Sequence, residues 1–259
     1  MRLQNKVIMI TGGAKGIGGA TAKVCAGYGA KVIAVDYNEA RVKQNVEEII
    51  AAGGDAIWAV ADVTKRDQVI AAIQKGLDKY GRIDGLYNAA GVDRICSMLD
   101  MSDEEFDYNM NINVKGTFLS SVEVARSMIK LGIPGRIVNT SSIAAVREEA
   151  HNCTYCMSKA AVSMMTRVMA LEWADYKITT VAVQPGNIET DILRESFTNR
   201  GKAEGKDVKE FYAEMEATIP MGYIGRPEEI AEFVAFLFDE RSAYINGNSI
   251  LMAGGKIMA

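Results

Sequence analysis

The stretch TGGAKGIG, residues 11–18, lies between a short apolar run and a segment with helical periodicity. Its glycines at positions 12, 16 and 18 permit a tight turn and a close approach of the backbone to a diphosphate. The helix that follows points its free N–H groups and the positive end of its dipole at the same place. A glycine-rich turn between a strand and a helix therefore predicts the phosphate-binding turn of a dinucleotide site.

Around this turn, β-branched runs alternate with amphipathic stretches along the whole chain. We predict seven strands, at 6–11, 31–36, 56–60, 85–87, 136–140, 179–184 and 248–252. We predict helices at 17–28, 39–52, 67–80, 103–130, 154–176 and 228–238. Apolar strands separated by helices are typical of a parallel sheet covered on both faces, and right-handed crossovers make that sheet doubly wound. The pattern predicts one Rossmann-like α/β domain, residues 1–259, with a seven-stranded parallel β-sheet flanked by helices on both faces.

Composition excludes several classes of protein. The 259 residues carry a net charge of −4, without the basic excess of a nucleic-acid-binding protein. No apolar run approaches the roughly 20 residues that span a bilayer, and the N-terminus lacks the apolar core of a signal peptide. Four scattered cysteines are too few for a disulfide scaffold. We expect a cytoplasmic protein with neither a nucleic-acid nor a membrane partner.

A carboxylate ends the second predicted strand, at Asp36. In this position it can accept hydrogen bonds from both hydroxyls of an adenosine ribose, and it repels a 2′-phosphate. Lys15, within the glycine turn, is the opposing signal because a cation there suits a phosphate. Asp36 lies nearer the expected 2′ position and Tyr37 is not basic, so the sequence favours NAD over NADP.

One segment, residues 190–222, interrupts the alternation of strands and helices. It is polar and charged, and it follows the sixth predicted strand at the carboxyl edge of the sheet, where ligands bind in such folds. Long loops in compact domains are often functional. We therefore predict a mobile substrate lid; a solvated insertion is the alternative.

Two glycine-containing motifs and three polar residues follow one another in a fixed order. TGGAKGIG (11–18) precedes NAAG (88–91), then Ser142, then Tyr155 and Lys159, which three residues separate. With these motifs the chain resembles the classical short-chain dehydrogenase/reductase family over essentially its whole length. The resemblance implies a Rossmann-like domain, hydride transfer between a nicotinamide and a carbonyl or alcohol, a small-molecule substrate and a homotetramer.

The tyrosine and lysine suit acid–base chemistry. Oxidation of a secondary alcohol requires loss of the hydroxyl proton as hydride leaves the carbon, and a phenol with an ordinary pKa of about 10 is a poor base at neutral pH. Lys159 lies one helical turn beyond Tyr155, so we expect its ammonium, together with the positive nicotinamide, to lower the pKa of the phenol. Ser142 can hydrogen-bond the substrate oxygen. The resemblance adds that Lys159 grips the nicotinamide ribose and that Asn113 holds a water in a proton relay.

The glycine turn, Asp36 and the matched motifs define two sets of candidate binding residues. The cofactor set comprises Gly12, Lys15, Gly16, Ile17, Gly18, Asp36, Asp62, Val63, Asn88, Ala89, Ala90, Gly91, Tyr155, Lys159, Pro185, Gly186, Ile188 and Thr190. The substrate set comprises Ser142, Val92, Ala144, His151, Tyr155 and Asn187, with Asp93, Ile95, Val146, Asn152 and the lid nearby. The resemblance places 62–63 at the adenine, 88–91 near the ribose, and 185–190 at the nicotinamide carboxamide.

The substrate is less well defined. The Y-C-x-S-K core at 155–159 and the A-G-G at 253–255 resemble some bacterial hydroxysteroid dehydrogenases, so a hydroxysteroid or bile acid is our first expectation. A polyol or sugar alcohol is the main alternative. A 3-oxoacyl thioester is less favoured, because the substrate set holds few fixed cations. A dinucleotide-binding sensor or scaffold is the non-enzyme alternative, although such proteins have lost the tyrosine or lysine that this chain keeps.

The stretch HNCTYCMSK, residues 151–159, raises a separate question, since Cys153 and Cys156 have C-x-x-C spacing and His151 is the only histidine in the sequence. A redox dithiol normally follows a strand in a thioredoxin-like pattern, and a zinc site needs more ligands. On a helix both cysteines turn away from the face that carries Tyr155. We expect packing or subunit-contact cysteines, no metal site, and a His151 that faces the substrate pocket.

Overall fold

Seven parallel strands form one sheet in the computed structural model, which describes residues 2–203 and 205–256. The strands are β1 (Val7–Thr11), β2 (Lys31–Asp36), β3 (Asp55–Val60), β4 (Gly85–Asn88), β5 (Gly135–Thr140), β6 (Ile178–Pro185) and β7 (Ser249–Met252). Every predicted strand is present, with its ends shifted by no more than one residue. The order across the sheet is β3-β2-β1-β4-β5-β6-β7.

Helices cover both faces of this sheet. They are α1 (Gly16–Gly27), α2 (Glu39–Ala51), α3 (Arg66–Tyr80), α4 (Asp103–Met110), α5 (Thr117–Leu131), α6 (Cys153–Glu172), α7 (Asp191–Ala203), α8 (Val208–Ala217) and α9 (Pro227–Leu237). Along β1, Ile8 and Ile10 point into one core while Val7 and Met9 point into the other, and all four are buried. Because side chains alternate along a strand, burial of both sets requires cover on both faces. The predicted α/β architecture is confirmed.

The strand order reverses direction at β1, and this reversal positions the site. β1 pairs with β2 on one side and with β4 on the other, so that Thr11 stands opposite both Val35 and Asn88. The segments that follow β1 and β4 therefore leave the sheet side by side at its carboxyl edge. In open parallel sheets, ligands bind in the crevice at such a point.

Two predicted helices follow a different course. The helix predicted over 103–130 is divided into α4 and α5 by a π-helical segment, Asn111–Gly116, which contains Asn113. The helix predicted over 154–176 ends as α6 at Glu172, and a 3₁₀ turn, Ala174–Tyr176, follows it. Apolar periodicity does not distinguish a tighter 3₁₀ turn or a wider π-helical turn from a continuous α-helix. Segments of π-helix are frequent at functional sites. None of the helices within the described residues is long and apolar enough to cross a bilayer.

The segment at 190–222 forms two helices, α7 and α8, where the sequence predicted a long loop. Phe197 and Phe211 are buried against each other with ring centroids 5.4 Å apart, and the ring of Tyr212 lies 4.8 Å from that of Phe197. The polar residues that suggested a loop are accommodated around this aromatic cluster. The segment therefore has a small core of its own, and its function as a lid stays a prediction.

Candidate active site

The glycine turn after β1 is packed too tightly for side chains at two of its glycines. Gly12 has φ = +65°, and a Cβ there would lie 2.7 Å from the backbone nitrogen of Ala90. A Cβ at Gly18 would lie 2.3 Å from the carbonyl oxygen of Gly12. Because α1 begins at Gly16, the free N–H groups of its first turn open onto the same place. The glycines thus leave a concave backbone surface at the N-terminus of α1. A surface of this kind fits the diphosphate of a dinucleotide.

Asp36, at the end of β2, is held against the glycine turn by two backbone amides. Its Oδ2 accepts a hydrogen bond from the N–H of Ala14 at 3.2 Å, and its Oδ1 accepts one from the N–H of Asn38 at 3.0 Å. The carboxylate therefore lies beside the turn, as the sequence predicted.

Lys15 forms an ion pair within the protein. Its Nζ lies 2.5 Å from Oδ2 of Asp191, the first residue of α7, and a guanidinium nitrogen of Arg41 lies 3.7 Å from the same oxygen. The Lys15 hydrogen bond holds the pKa of Asp191 below its ordinary value. Sequence reasoning missed Arg41 and Asp191 because pairs between residues far apart in the chain leave no local pattern. The contacts tie the glycine turn and α2 to the 190–222 segment.

The adenine-side candidates lie beyond β3. Val63 is buried, and a Cβ at Gly116, in the π segment, would lie 2.5 Å from its Cγ2. Asp62 Oδ1 accepts hydrogen bonds from the backbone N–H of Thr64 at 2.9 Å and from its hydroxyl at 2.8 Å. Both residues are thus fixed at the carboxyl edge, next to the end of β2.

The side chain of Asn88 faces the interior of the protein, and the place of 88–91 near the ribose stays a prediction. Asn88 is 2% exposed, and its Nδ2 donates to Ser121 Oγ at 2.9 Å and to Asn139 Oδ1 at 2.8 Å. These bonds tie β4 to α5 and β5, so its amide group faces the interior. The next residue, Ala89, packs instead against the turn, since a Cβ at Gly18 would lie 3.0 Å from its Cβ.

The segment that follows β6 lies at the same carboxyl edge of the sheet as the glycine turn. A Cβ at Gly186 would lie 2.8 Å from Cα of Ala253, and Ile188 is 6% exposed. A Cβ at Gly16 would lie 3.5 Å from Cγ2 of Thr190. Thr190, immediately before α7, therefore stands over the start of α1.

Ser142 and Tyr155 meet beyond the end of β5. Ser142 opens a 3₁₀ turn, and its Oγ accepts a hydrogen bond from the N–H of Ala144 at 3.1 Å. Its own proton is then available to the phenol of Tyr155, in the first turn of α6, and this hydrogen bond lowers the pKa of Tyr155. The structure thus brings together the serine and tyrosine that the sequence paired.

Lys159 shares this face of α6. Its side chain is buried, and its Nζ lies 5.4 Å from the centre of the Tyr155 ring. The ammonium donates a hydrogen bond to the carbonyl oxygen of Thr140 at 3.0 Å. A Cβ at Gly91 would lie 3.5 Å from this Nζ and 3.2 Å from Asn113 Oδ1. The residues predicted to be catalytic therefore converge at one place.

Burial sets the pKa of Tyr155. Loss of solvent raises it above the ordinary value and the negative charge of Asp93 raises it further, whereas Ser142 lowers it. Burial also lowers the pKa of Lys159 to about 8. The effect expected of Lys159 together with the positive nicotinamide stays a prediction. The contact that lowers the pKa of the phenol comes from Ser142.

Asn113 is fully buried within the π segment. Its Oδ1 accepts from the N–H of Val92 at 2.9 Å, and its Nδ2 donates to the carbonyl oxygen of Val92 at 2.9 Å and to Ser158 Oγ at 3.0 Å. The side chain therefore fastens the segment after β4 to α6. Sequence reasoning missed this anchoring role, because it depends on a helix geometry that periodicity does not reveal.

Asp93 is the polar centre of the substrate-side residues. Ser196 of α7 and Asn152 hydrogen-bond its carboxylate. Burial, followed by the charge of Glu149, raises the pKa of Asp93 to about 6. The sequence named Asp93 and Asn152 but missed Ser196 and Glu149. Among the other substrate-side candidates, Ala144 is buried, Val92, Ile95 and Asn187 are half-buried, and Val146 is exposed.

His151 lies just before α6, and that it faces the substrate pocket stays a prediction. It occupies an exposed turn with φ = +61°, and its carbonyl oxygen accepts a hydrogen bond from the N–H of Cys96 at 2.9 Å. Cys153 and Cys156 are free and half-buried, with Cys156 Sγ 3.9 Å from the carbonyl oxygen of Arg147. Within residues 2–203 and 205–256, no group of three His, Cys, Asp or Glu side chains is arranged to hold a metal ion.

Comparison with known proteins agrees with this geometry. The short chain dehydrogenase family model matches residues 6–201. The chain is 37% identical to the 3-oxoacyl-(acyl-carrier-protein) reductase FabG of Thermotoga maritima, with 100% of each chain covered. It is 33% identical to an NAD-dependent glycerol dehydrogenase of Listeria innocua, over 98% of this chain and 94% of the relative. The crystal structure of levodione reductase has a TM-score of 0.92 at 30% identity, over 98% of each chain. The resemblance drawn from the motifs is confirmed, and the chain belongs to the short-chain dehydrogenase/reductase family, whose members are oxidoreductases that use nicotinamide dinucleotides and act on small molecules.

Proposed function

We propose that the protein interconverts a secondary alcohol and a ketone with NAD(H), and that Tyr155 is the general acid/base. The observation that carries the proposal is the convergence of Tyr155, Ser142 and Lys159 beside a turn whose glycines leave room for a diphosphate. A sensor or scaffold that only binds dinucleotide has no use for this convergence, which makes the enzyme the better reading.

Each catalytic side chain has a separate task in alcohol oxidation. Ser142 orients the substrate oxygen, because its Oγ already accepts from Ala144 and its proton, directed at Tyr155 in the protein alone, can be donated to the substrate instead. Tyr155 accepts the hydroxyl proton. Lys159 uses one N–H on Thr140 and keeps two for the hydroxyls of the nicotinamide ribose. When bound, the oxidised nicotinamide supplies a hydride acceptor and a positive charge that favours the phenolate of Tyr155.

The proton relay expected at Asn113 involves its backbone. Both polar atoms of the side chain are already bonded, to Val92 and Ser158. A relay water behind Lys159 would therefore bind the carbonyl oxygen of Asn113, which has a second lone pair besides the one that Thr117 Oγ1 occupies at 2.7 Å.

The choice of NAD over NADP rests on the charges around Asp36. A carboxylate fixed beside the glycine turn suits ribose hydroxyls and repels a 2′-phosphate. Lys15 and Arg41 are nearby cations that suit a phosphate, but both are paired with Asp191. Asp191 offsets part of the charge of these two cations, and the carboxylate held at the expected ribose position is that of Asp36, which supports NAD.

Three substrate classes enter the proposal: a hydroxysteroid or bile acid, a polyol or sugar alcohol, and a 3-oxoacyl thioester. The hydroxysteroid expectation draws no support from the relatives named above, whose names refer to an acyl-carrier thioester, glycerol and levodione. A panel of all three classes, scored by NADH absorbance, separates them.

We also propose a homotetramer. The outer face of α6 carries three apolar side chains with large exposed fractions: Met164 at 56%, Val168 at 45% and Leu171 at 82%. Contiguous apolar surface on a helix supports a contact between subunits.

The direct test of the enzymatic proposal is Tyr155→Phe, which removes the proton-transferring oxygen and keeps the ring. We expect turnover with any accepted substrate to fall by about 10³-fold, while NADH binding measured by fluorescence is retained. Tyr176→Phe is the matched control, since Tyr176 is 52% exposed and lies beyond the end of α6. Near-wild-type turnover in Tyr155→Phe would overturn the proposal.

A further inference from the structure

Two buried oxygen atoms near the catalytic tyrosine have no hydrogen-bond partner within the described residues: Oδ1 of Asp93 and Oδ1 of Asn152. Asn152 is 1% exposed, and its Nδ2 donates to Glu149 Oε2 at 3.1 Å, so its amide is fixed with the oxygen still free. Buried acceptors are normally paired, and an orphaned pair of them needs an explanation. Both atoms are acceptors, so what they lack is a donor.

Asp93 is held rigidly in position. The side chain of Asn113 accepts a hydrogen bond from the N–H of the neighbouring Val92 and donates one to its carbonyl oxygen, each at 2.9 Å. Ser196, from α7, and Asn152, at the start of α6, hydrogen-bond the carboxylate from two further elements. Asp93 therefore lies where three parts of the protein meet: the segment after β4, the start of α6 and the 190–222 segment.

The charged groups that act on Asp93 are Glu149 and Lys159, and neither donates a hydrogen bond to its Oδ1. Glu149 is itself an acid, and its Oε2 lies 3.7 Å from a guanidinium nitrogen of Arg200. The Nζ of Lys159 is bonded to the carbonyl oxygen of Thr140. The negative charge of Asp93 raises the pKa of Tyr155, and the backbone two residues before Asp93 lies against the catalytic lysine, since a Cβ at Gly91 would be 3.5 Å from Nζ of Lys159.

We propose that Asp93, together with Asn152, accepts hydrogen bonds from a substrate hydroxyl next to the reacting carbon, so that the substrate class is a vicinal diol and its product an α-hydroxy ketone. This inference rests on the proposed function. The reacting carbon loses its hydrogen and two electrons as hydride to NAD⁺, its oxygen loses a proton through Tyr155, and the neighbouring hydroxyl is unchanged. A steroid ring or an acyl thioester presents only C–H groups or a carbonyl at that place, and a carboxylate there repels an anion.

The test compares cyclohexanol with trans-1,2-cyclohexanediol, which differ by the hydroxyl in question. We expect the wild-type protein with NAD⁺ to oxidise the diol with a kcat/KM at least about tenfold higher. Asp93→Leu removes both acceptor oxygens at similar volume and should abolish this preference. Asp100→Leu makes the same change at an exposed carboxylate and should keep the preference.

The outcomes separate the two proposals. A wild-type diol preference near one, or a preference that survives in Asp93→Leu, overturns the inference, and the wild-type measurement decides even where the variant does not fold. Tyr155-dependent turnover of a steroid or thioester without turnover of the diol also overturns it while the proposed function stands. Absence of NAD-linked turnover with every class overturns the proposed function itself.

Discussion

The ammonium of Lys159 lies 5.4 Å from the centre of the Tyr155 ring, yet it donates its hydrogen bond to the carbonyl oxygen of Thr140. Thr140 is the last residue of β5, and Ser142, which contacts the phenol, follows two residues later. The end of one strand therefore positions both partners of the tyrosine. The lysine is anchored to the last residue of β5, and the serine is the group that acts directly on the pKa of the phenol.

Ser142→Ala should move the pH profile of alcohol oxidation to higher pH. The Ser142 hydroxyl lowers the pKa of Tyr155, so its removal raises that pKa and leaves less phenolate at a given pH. We expect kcat to fall by about 10²-fold, with the loss largest at the acidic end. The measurement is kcat/KM from about pH 6 to about pH 10. Ser102→Ala, which removes a hydroxyl from the N-cap of α4, should leave the profile in place.

Local patterns predicted most of the fold. Strand periodicity and the glycine turn depend on neighbours in sequence, and the predicted strands match the observed ones. The π segment around Asn113 was missed because it keeps helical periodicity. The contacts of Asp93 with Ser196 and of Lys15 with Asp191 were missed because they depend on the folding of 190–222 into helices that its polarity concealed.

Asp93→Asn should stabilise the protein at neutral pH. The pKa of Asp93 is about 6 in the folded protein and 3.8 ordinarily, so the folded state holds the proton more tightly. This contribution to stability is complete below about pH 4 and is lost as the pH rises through about 6, with a total of at most about 3 kcal/mol. An amide does not titrate, so the advantage of Asp93→Asn in free energy of unfolding should grow between these values.

Urea unfolding at several pH values measures this difference. Asp100→Asn, which makes the same change at an exposed carboxylate, is the control. A difference for Asp93→Asn that does not change with pH would show that Asp93 ionises without penalty. If the variant is more stable and has also lost the preference for the diol, Asp93 serves substrate binding at a cost in the stability of the folded protein.

Asp191→Asn should relax the choice of cofactor. The change removes the negative charge that partly offsets the charges of Lys15 and Arg41 beside the glycine turn. Two released cations attract a 2′-phosphate, so we expect the affinity for NADPH relative to NADH to rise about tenfold. Fluorescence titration gives both dissociation constants. Glu48→Gln, which removes the surface partner of Lys23 at 2.6 Å, is the control and should leave the ratio of the two affinities unchanged. An unchanged ratio in Asp191→Asn would contradict the role assigned to the pairing of Asp191 with Lys15 and Arg41.

Light scattering should give a mass four times the 28.1 kDa of the chain. Leu171→Glu places a charge on the apolar outer face of α6 and should shift the mass towards smaller species. Leu99→Glu makes the same change at a residue that is 97% exposed outside α6, and should keep the wild-type mass. A monomeric wild-type protein would exclude the tetramer.

Gly18→Ala should abolish tight cofactor binding, because its Cβ would lie 2.3 Å from the carbonyl oxygen of Gly12 and would push the turn apart. We expect NADH affinity to fall at least about tenfold and stability to fall by roughly 1–3 kcal/mol. Gly27→Ala, at the end of the same helix, is the matched control, since a Cβ there meets no described atom within 4 Å. That change should leave NADH binding intact and stabilise the protein by about 0.5–1 kcal/mol, through the lower chain entropy of alanine. Equal NADH affinity in the two variants would mean that the close packing of the turn has no bearing on the cofactor.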